Sequence, residues 1–235
     1  MAPDSEKGIY VRHMFARIAD QYDLINRLMT GGFDIRWRKE VVRRSRINAG
    51  ARVLDLGSGT GDIARDAIDI CPDSTVVGGD FTITMMRVGQ AHADKKTILW
   101  TGCDAQHLPF MNGSFDAVVS GFLLRNVSSV EQSLREQWRV LTPGGRIVAL
   151  DTTRPADSML TPVIRFYLNR VIPLLGGLIS KDPEAYRYLP ASTSSFLSAE
   201  QLAARFKSVG FDNVGFERKM FGTIAIHWGS KPFEL

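Results

Sequence analysis

Two rhythms of apolar and polar positions run along this chain, and each change of rhythm marks an element. From Arg52 onward, short apolar or β-branched runs lie near 52–56, 75–79, 97–102, 115–120 and 145–151, separated by helical patterns near 62–70, 83–93 and 130–140. Strands buried on both faces read in this way, and the helices between them supply the crossovers of a parallel sheet. Val214–Phe216 and Ile224–Trp228 read as a closing β-hairpin, which completes seven strands and gives the sheet an antiparallel edge strand. The predicted fold class is α/β: a doubly wound, mostly parallel, Rossmann-like sheet. Pro143-Gly144-Gly145 stands between a helix and a strand, where glycine takes positive φ and proline cannot continue the helix.

Two segments exceed what such a sheet needs. Met14, Phe15, Ile18, Tyr22 and Ile25 recur at helical spacing with Arg12, Arg17 and Gln21 between them, predicting one amphipathic helix that folds over the core. Leu160, Val163, Ile164, Tyr167, Leu168, Val171 and Ile172 form a second apolar stripe. Ser198-Ala199-Glu200-Gln201 then opens a last helix with a capping residue and an early acid or amide. The expected organisation is one domain over 1–235, with a helical cap at 1–48, a ligand-binding core at 49–154, a helical insertion at 155–196 and a closing helix and hairpin at 197–235.

Composition narrows the class. A length of 235 residues suits one substantial core. The 44% hydrophobic and 23% charged content is ordinary for a globular chain. The net charge of +4 is scattered, with no basic run or stacking strip to engage nucleic acid. Cys71 and Cys103 alone supply neither a disulfide framework nor a metal-ligand spacing, so reduced thiols in a cytoplasmic protein are expected, with no metal. The stretch Met159–Ile179 is broken by Arg165, Arg170, Pro162 and Pro173, which disfavours a membrane span. Residues 1–7 show no secretory signal.

The chemistry gathers at strand ends. Val53-Leu54-Asp55-Leu56-Gly57-Ser58-Gly59-Thr60-Gly61-Asp62 reads as a strand running into a glycine loop, where a ligand can approach backbone N–H groups closely. Its Gly57-x-Gly59-x-Gly61 spacing differs from the dinucleotide fingerprint G-x-G-x-x-G. Asp55 stands two residues before the first glycine, ill placed beside pyrophosphate but suited to the cationic amino group of a methionine moiety. Asp80, nineteen residues beyond Gly61 and followed by Phe81, suits ribose hydroxyls. At Asp104-Ala105 an acid can take an adenine amino hydrogen while the next N–H meets a ring nitrogen. Each piece alone has a plain reading, as a tight turn or a helix cap. Three acids at three successive strand ends, together with the loop, point to S-adenosyl-L-methionine.

The chain from about Arg12 to Ser230 resembles the ubiquinone/menaquinone biosynthesis C-methyltransferases. Tyr22-Asp23-x-x-Asn26 followed by Thr30 and Trp37 is similar to that family's Y-D-x-M-N with a later Ser, His and Trp, with Ile25, Thr30 and Asp34 in place of its Met, Ser and His. Arg139-Val140-Leu141-Thr142-Pro143-Gly144-Gly145 resembles R-V-L-K-P-G-G, and Asp151-Thr152-Thr153 stands where the family has Glu-x-Ser. Phe122-Leu123-Leu124-Arg125-Asn126 resembles F-G-L-R-N, and Tyr186-Arg187-Tyr188-Leu189 resembles Y-R-Y-L. The resemblance implies a class I methyltransferase that uses S-adenosyl-L-methionine and carries donor contacts at Thr60, Asp80, Asp104 and Ala105. The family's serine before F-G-L-R-N falls on Gly121, with Ser120 beside it.

The resemblance also implies a prenylated quinol as acceptor. Its ring carbon becomes reactive when the neighbouring phenol loses a proton, which calls for a base or a cation. Arg125, with Asn126 beside it and Asp151 at the next strand end, is the expected phenolate stabiliser; an arginine there can equally cap or ion-pair to hold its loop. Tyr22, Tyr188 and His107 read first as structural residues. The Leu160–Ile172 stripe suits a polyprenyl tail or peripheral contact with the inner face of the membrane, and equally packing or a homodimer partner. Alternatives are a methyltransferase for another small phenolic or lipid-like acceptor, an NAD-dependent oxidoreductase and a non-catalytic assembly protein.

Overall fold

The computed structural model describes residues 6–91, 97–154, 188, 192–193 and 196–233. Its sheet is built from β1 (Arg52–Leu56), β2 (Thr75–Asp80), β3 (Ile98–Gly102), β4 (Phe115–Gly121), β5 (Leu141–Thr152), β6 (Asp212–Lys219) and β7 (Ile224–Ser230). They lie in the order β3-β2-β1-β4-β5-β7-β6. β1 to β5 pair in parallel, while β7 is antiparallel to both β5 and β6. The doubly wound sheet with its antiparallel edge is thus as the pattern predicts, and the reversed strand sits one place in from the rim.

Helices cover both faces because the strands alternate. Leu54 and Leu56 of β1, Val118 of β4 and Ile147 of β5 pack on one side with Leu134 and Phe206. Val53, Ala117, Val148 and Leu150 pack on the other with Val41 and Ile63. The helices that supply these partners are α3 (Phe33–Ser45), α4 (Asp62–Ile70), α6 (Val130–Val140) and α7 (Ala199–Val209); α5 (Ile83–Gln90) follows β2. Ser198 and Gln201 close a reciprocal capping box at the start of α7, and Gly210, at φ 107°, ends it. Strand order reverses at β1, whose neighbours are β2 and β4, so the ligand crevice of an open α/β sheet is expected at its carboxyl end.

Three local expectations change. β5 begins at Leu141, directly after α6: Leu141 pairs with Phe115, the register shifts, and pairing resumes at Arg146 with Ala117. Pro143 lacks an N–H for the ladder and Gly144 has φ 78°, so the segment that reads as a turn is a bulge within the strand. α5 stops at Gln90, short of the predicted 93. The predicted N-terminal helix divides into α1 (Glu6–Ile18) and α2 (Tyr22–Thr30) around a 3-10 turn at Ala19–Gln21. Met14, Ile18 and Ile25 remain buried together, and Phe15 and Tyr22 pack on them, so the stripe survives the break. The break turns Asp23 toward the glycine loop. Gly31 and Gly32, both at positive φ, then reverse the chain into α3. The apolar stripe from Leu160 to Ile172 lies outside the described residues. Among those described, no helix is long and apolar enough to cross a membrane.

Candidate active site

At the carboxyl end of β1 the glycine loop is fixed by its neighbours before any ligand is considered. The N–H groups of Gly57 and Ser58 donate to the Gly79 carbonyl at 2.7 and 3.1 Å. Gly59 N–H donates to Asp80 Oδ2 at 2.8 Å, and Thr82 N–H donates to Asp80 Oδ1 at 2.6 Å. The Thr82 hydroxyl and the Phe81 N–H also reach this carboxylate, so Asp80 holds the loop at the cavity wall through several donors at once. Gly61 caps α4 at φ 86°.

A cavity of about 280 Å³ opens over this loop. Asp55, Gly57, Gly59, Thr60, Asp80 and Phe81 line it from the first two strands, and Asp104, Ala105 and Gly121 line it from the next two strand ends. Gly61 and Ser120 do not line it; Ser120 is buried behind the wall. Asp104 takes the Gln106 N–H at 2.9 Å, and His107 Nδ1 lies 3.4 Å from its other oxygen.

Asp55 is the most informative acid of the set. Its Oδ2 accepts Ala64 N–H at 3.0 Å, and its buried Oδ1 has no hydrogen-bond partner. Burial pushes its carboxyl up to about 8, with the charge of Asp80 adding to the effect. An unpartnered buried carboxylate oxygen in a cavity wall fits a cationic amino group, and the glycines leave room for it. A Cβ at Gly57 would stand 2.9 Å from Leu123 Cδ1, and one at Gly121 2.8 Å from Ile63 Cδ1. The residues present therefore fit an adenosylmethionine: Asp55 for its ammonium, Asp80 for its ribose, Asp104 and Ala105 for its adenine.

The N-terminal helices form part of the same wall, which periodicity alone does not reveal. Gly8, Val11 and Phe15 of α1 and Tyr22, Asp23 and Asn26 of α2 line the cavity. Thr60 Oγ1 donates to Asp23 Oδ1 at 2.8 Å, tying α2 to the glycine loop. Lys7 Nζ donates to the carbonyls of Arg125 and Val127 at 3.0 and 2.8 Å, tying α1 to the loop after β4. The Y-D-x-x-N spacing is the one sequence signal for these contacts, because Asp23 and Thr60 are 37 residues apart.

Of the predicted acceptor-side residues, Asn126 lines the cavity, whereas Arg125 and Asp151 stand one layer behind it. Arg125 Nε lies 3.9 Å from Asp151 Oδ1, and its guanidinium rides 5.1 Å from the Phe122 ring centroid. Both side chains are buried, and burial raises the Asp151 carboxyl against the opposing pull of Arg125. The Arg125 charge reaches beyond its layer: it pulls the hydroxyls of Tyr22 and Tyr188 down against the larger upward push of burial. Tyr188 donates to Asn126 Oδ1 at 3.0 Å, and Asn126 Nδ2 donates to the Phe122 carbonyl at 2.8 Å. Tyr22 and Tyr188, which read first as structural residues, thus border the polar cluster.

Behind α2 the departures at Thr30 and Asp34 form their own network. Thr30 Oγ1 lies 2.8 Å from Asp34 Oδ1, and Arg38 reaches Asp34 at 2.6 Å and Asp62 at 2.9 Å. Asp34 is fully buried, so the acid that replaces the family's histidine is neutralised by an arginine one helical turn on.

Comparison with known proteins agrees with this geometry. Residues 3–231 match the ubiE/COQ5 methyltransferase family. The chain is 47% identical over 225 residues to the ubiquinone/menaquinone biosynthesis C-methyltransferase UbiE of Desulfotalea psychrophila, covering 96% of this chain and 92% of that one. It is 42% identical over 221 residues to the demethylmenaquinone methyltransferase of Thermus thermophilus, covering 93% and 100%. Among solved structures it resembles Haemonchus contortus phosphoethanolamine N-methyltransferase 2 with phosphomonomethylethanolamine and S-adenosylhomocysteine bound, at TM-score 0.68 and 17% identity over 94% of this chain and 60% of that one. The cyclase SpnF matches at TM-score 0.69 and 16% identity, covering 95% and 96%, so likeness at this level speaks for the fold alone.

Proposed function

This chain belongs to the ubiE/COQ5 methyltransferase family and is an S-adenosylmethionine-dependent methyltransferase; from that premise we propose that it methylates a ring carbon of a prenylated quinol, converting a demethylmenaquinol to a menaquinol or performing the ubiquinone-pathway equivalent. The observation that carries the reading is a single cavity whose wall holds both the donor loop and a polar cluster at Tyr22 and Asn126.

When bound, S-adenosylmethionine supplies an electrophilic methyl group on a sulfonium. The protein's own contribution is to align that group with the acceptor carbon and to exclude water. Asp55, Asp80 and Asp104 would hold the donor, with α1 and α2 forming part of the wall around it. The acceptor's phenol enters as its phenolate, its proton left to solvent before water is excluded, and Arg125 favours that anion by its charge from behind the wall, with Asp151 orienting the guanidinium. Asn126, fixed between Tyr188 and the Phe122 carbonyl, presents a polar group at the cavity face. The Leu160–Ile172 stripe is the proposed seat of the polyprenyl tail, at the surface of a membrane or against a second copy of the chain.

Incubation with labelled donor and extracted quinols should yield a quinol heavier by one methyl group. Appearance of label only in another small phenol would move the assignment to that acceptor class. Arg125→Ala should leave donor affinity nearly intact and lower turnover by about tenfold to a hundredfold, the scale of losing one charged stabiliser. Loss of donor binding in that variant would assign Arg125 to the scaffold. Flotation with anionic liposomes at low salt tests the membrane contact, and a wholly unbound protein would contradict it.

A further inference from the structure

We infer that Leu123 is a specificity-determining residue: its side chain stands in the cavity wall between the glycine loop and Asn126 and limits the bulk of the group that is transferred. The inference rests on the donor reading given above.

Leu123 lies just past the end of β4, half-buried, with one flank against the core and the other lining the cavity. It packs directly on the glycine loop. A Cβ placed on Gly57 would meet Leu123 Cδ1, Cβ and Cγ at 2.9, 3.1 and 3.3 Å, so the side chain occupies the volume that a larger residue at Gly57 would need. Asn126, three residues on, faces the same cavity. Leu123 thus touches the loop that would hold the donor and shares its cavity with Asn126 on the acceptor side.

The backbone fixes the point from which this side chain projects. Phe122 holds a left-handed φ of 60°, which a bulky residue adopts only when its surroundings fix it. Phe122 N–H donates to the Leu150 carbonyl at 2.7 Å, and the Phe122 carbonyl accepts Asn126 Nδ2 at 2.8 Å. The Leu123 carbonyl accepts Asn126 N–H at 2.9 Å, and Arg125 covers the Phe122 ring. The turn is tied at Phe122 and Asn126 on either side of Leu123, so the residue's bulk stays against the loop and the cavity.

One methylene in an apolar pocket discriminates by roughly 10–200-fold. The test compares S-adenosylmethionine with its S-ethyl and S-allyl analogues by calorimetry on the full chain, with no acceptor present. The wild type should bind the ethyl and allyl donors at least about tenfold more weakly than the methyl donor. Leu123→Ala should bring the three within about threefold of one another, Leu123→Val should fall between, and Leu123→Met, similar in volume, should keep the discrimination. Equal binding of all three by the wild type would overturn the inference. So would an unchanged ratio in Leu123→Val or Leu123→Ala with an unaltered melting temperature. Failure of the quinol assignment would look different: these binding ratios would hold while no methylated quinol formed.

Discussion

Asp55 shows how a single residue couples the ligand to pH. Its carboxyl, raised from 3.8 to about 8 by burial, carries a proton at neutral pH in the ligand-free protein, and it must release that proton to receive an ammonium. Donor affinity should therefore rise with pH toward about 8 and fall above it, as the donor's own ammonium loses its proton. Calorimetry in buffers of different ionisation enthalpy should detect release of close to one proton per donor bound at pH 7, and Asp55→Asn should abolish both that release and the rise with pH. For the ligand-free fold the sign is opposite. Between 3.8 and about 8 the folded state holds a proton that the unfolded chain has lost, so stability falls as pH rises through that window. Asp34→Ala isolates a second residue: it removes one partner of Arg38, which keeps Asp62, and should cost about 3 kcal/mol, the low end for unpairing a buried ion, measured by urea unfolding. The acids at 55, 80 and 104 are legible in the sequence because each follows an apolar run at a strand end. Asp34 and Leu123 are not, since burial, pairing and the wall they form depend on contacts that periodicity does not encode.

At the scale of elements, the strand and helix alternation is legible because each piece is short, apolar and punctuated. What escapes it is where one element gives way to the next. β5 starts at Leu141 because the first residue after α6 already finds Phe115 to pair with, and the 3-10 turn at Ala19–Gln21 leaves the hydrophobic stripe unbroken. Arg44 of α3 also reaches Glu217 of β6, a contact joining distant parts of the chain. The division of the N-terminal helix has a functional counterpart: α2 is held to the donor loop by the Asp23–Thr60 hydrogen bond. A hydrogen bond to a charged partner contributes about 1.5–3 kcal/mol, so Asp23→Ala should weaken donor binding by about tenfold or more, measured by calorimetry, while leaving the melting temperature within a few degrees.

Among the described residues the packing is uneven. Two large clusters sandwich the sheet, whereas α1 and α2 share a small one built on Met14, Ile18 and Ile25. Amides of β1 and β4 should exchange hydrogen only through global opening, and those of α1 and α2 through cheaper local opening. Adding S-adenosylhomocysteine should slow exchange in α1 and α2 more than in β1; equal slowing in both would mean that the helices do not move separately from the sheet.

The bonds from Gly59 and Thr82 to Asp80 carry this unevenness into time. A loop already fixed on folding has little freedom left to lose when a ligand arrives, so capture is fast and nearly indifferent to the loop itself. Departure is different if the spent donor leaves past α1 and α2, which line the cavity wall. The loss caused by Asp23→Ala should therefore sit almost wholly in the release rate, which stopped-flow displacement would show. Residence time on this protein would then be set by its N-terminal helices.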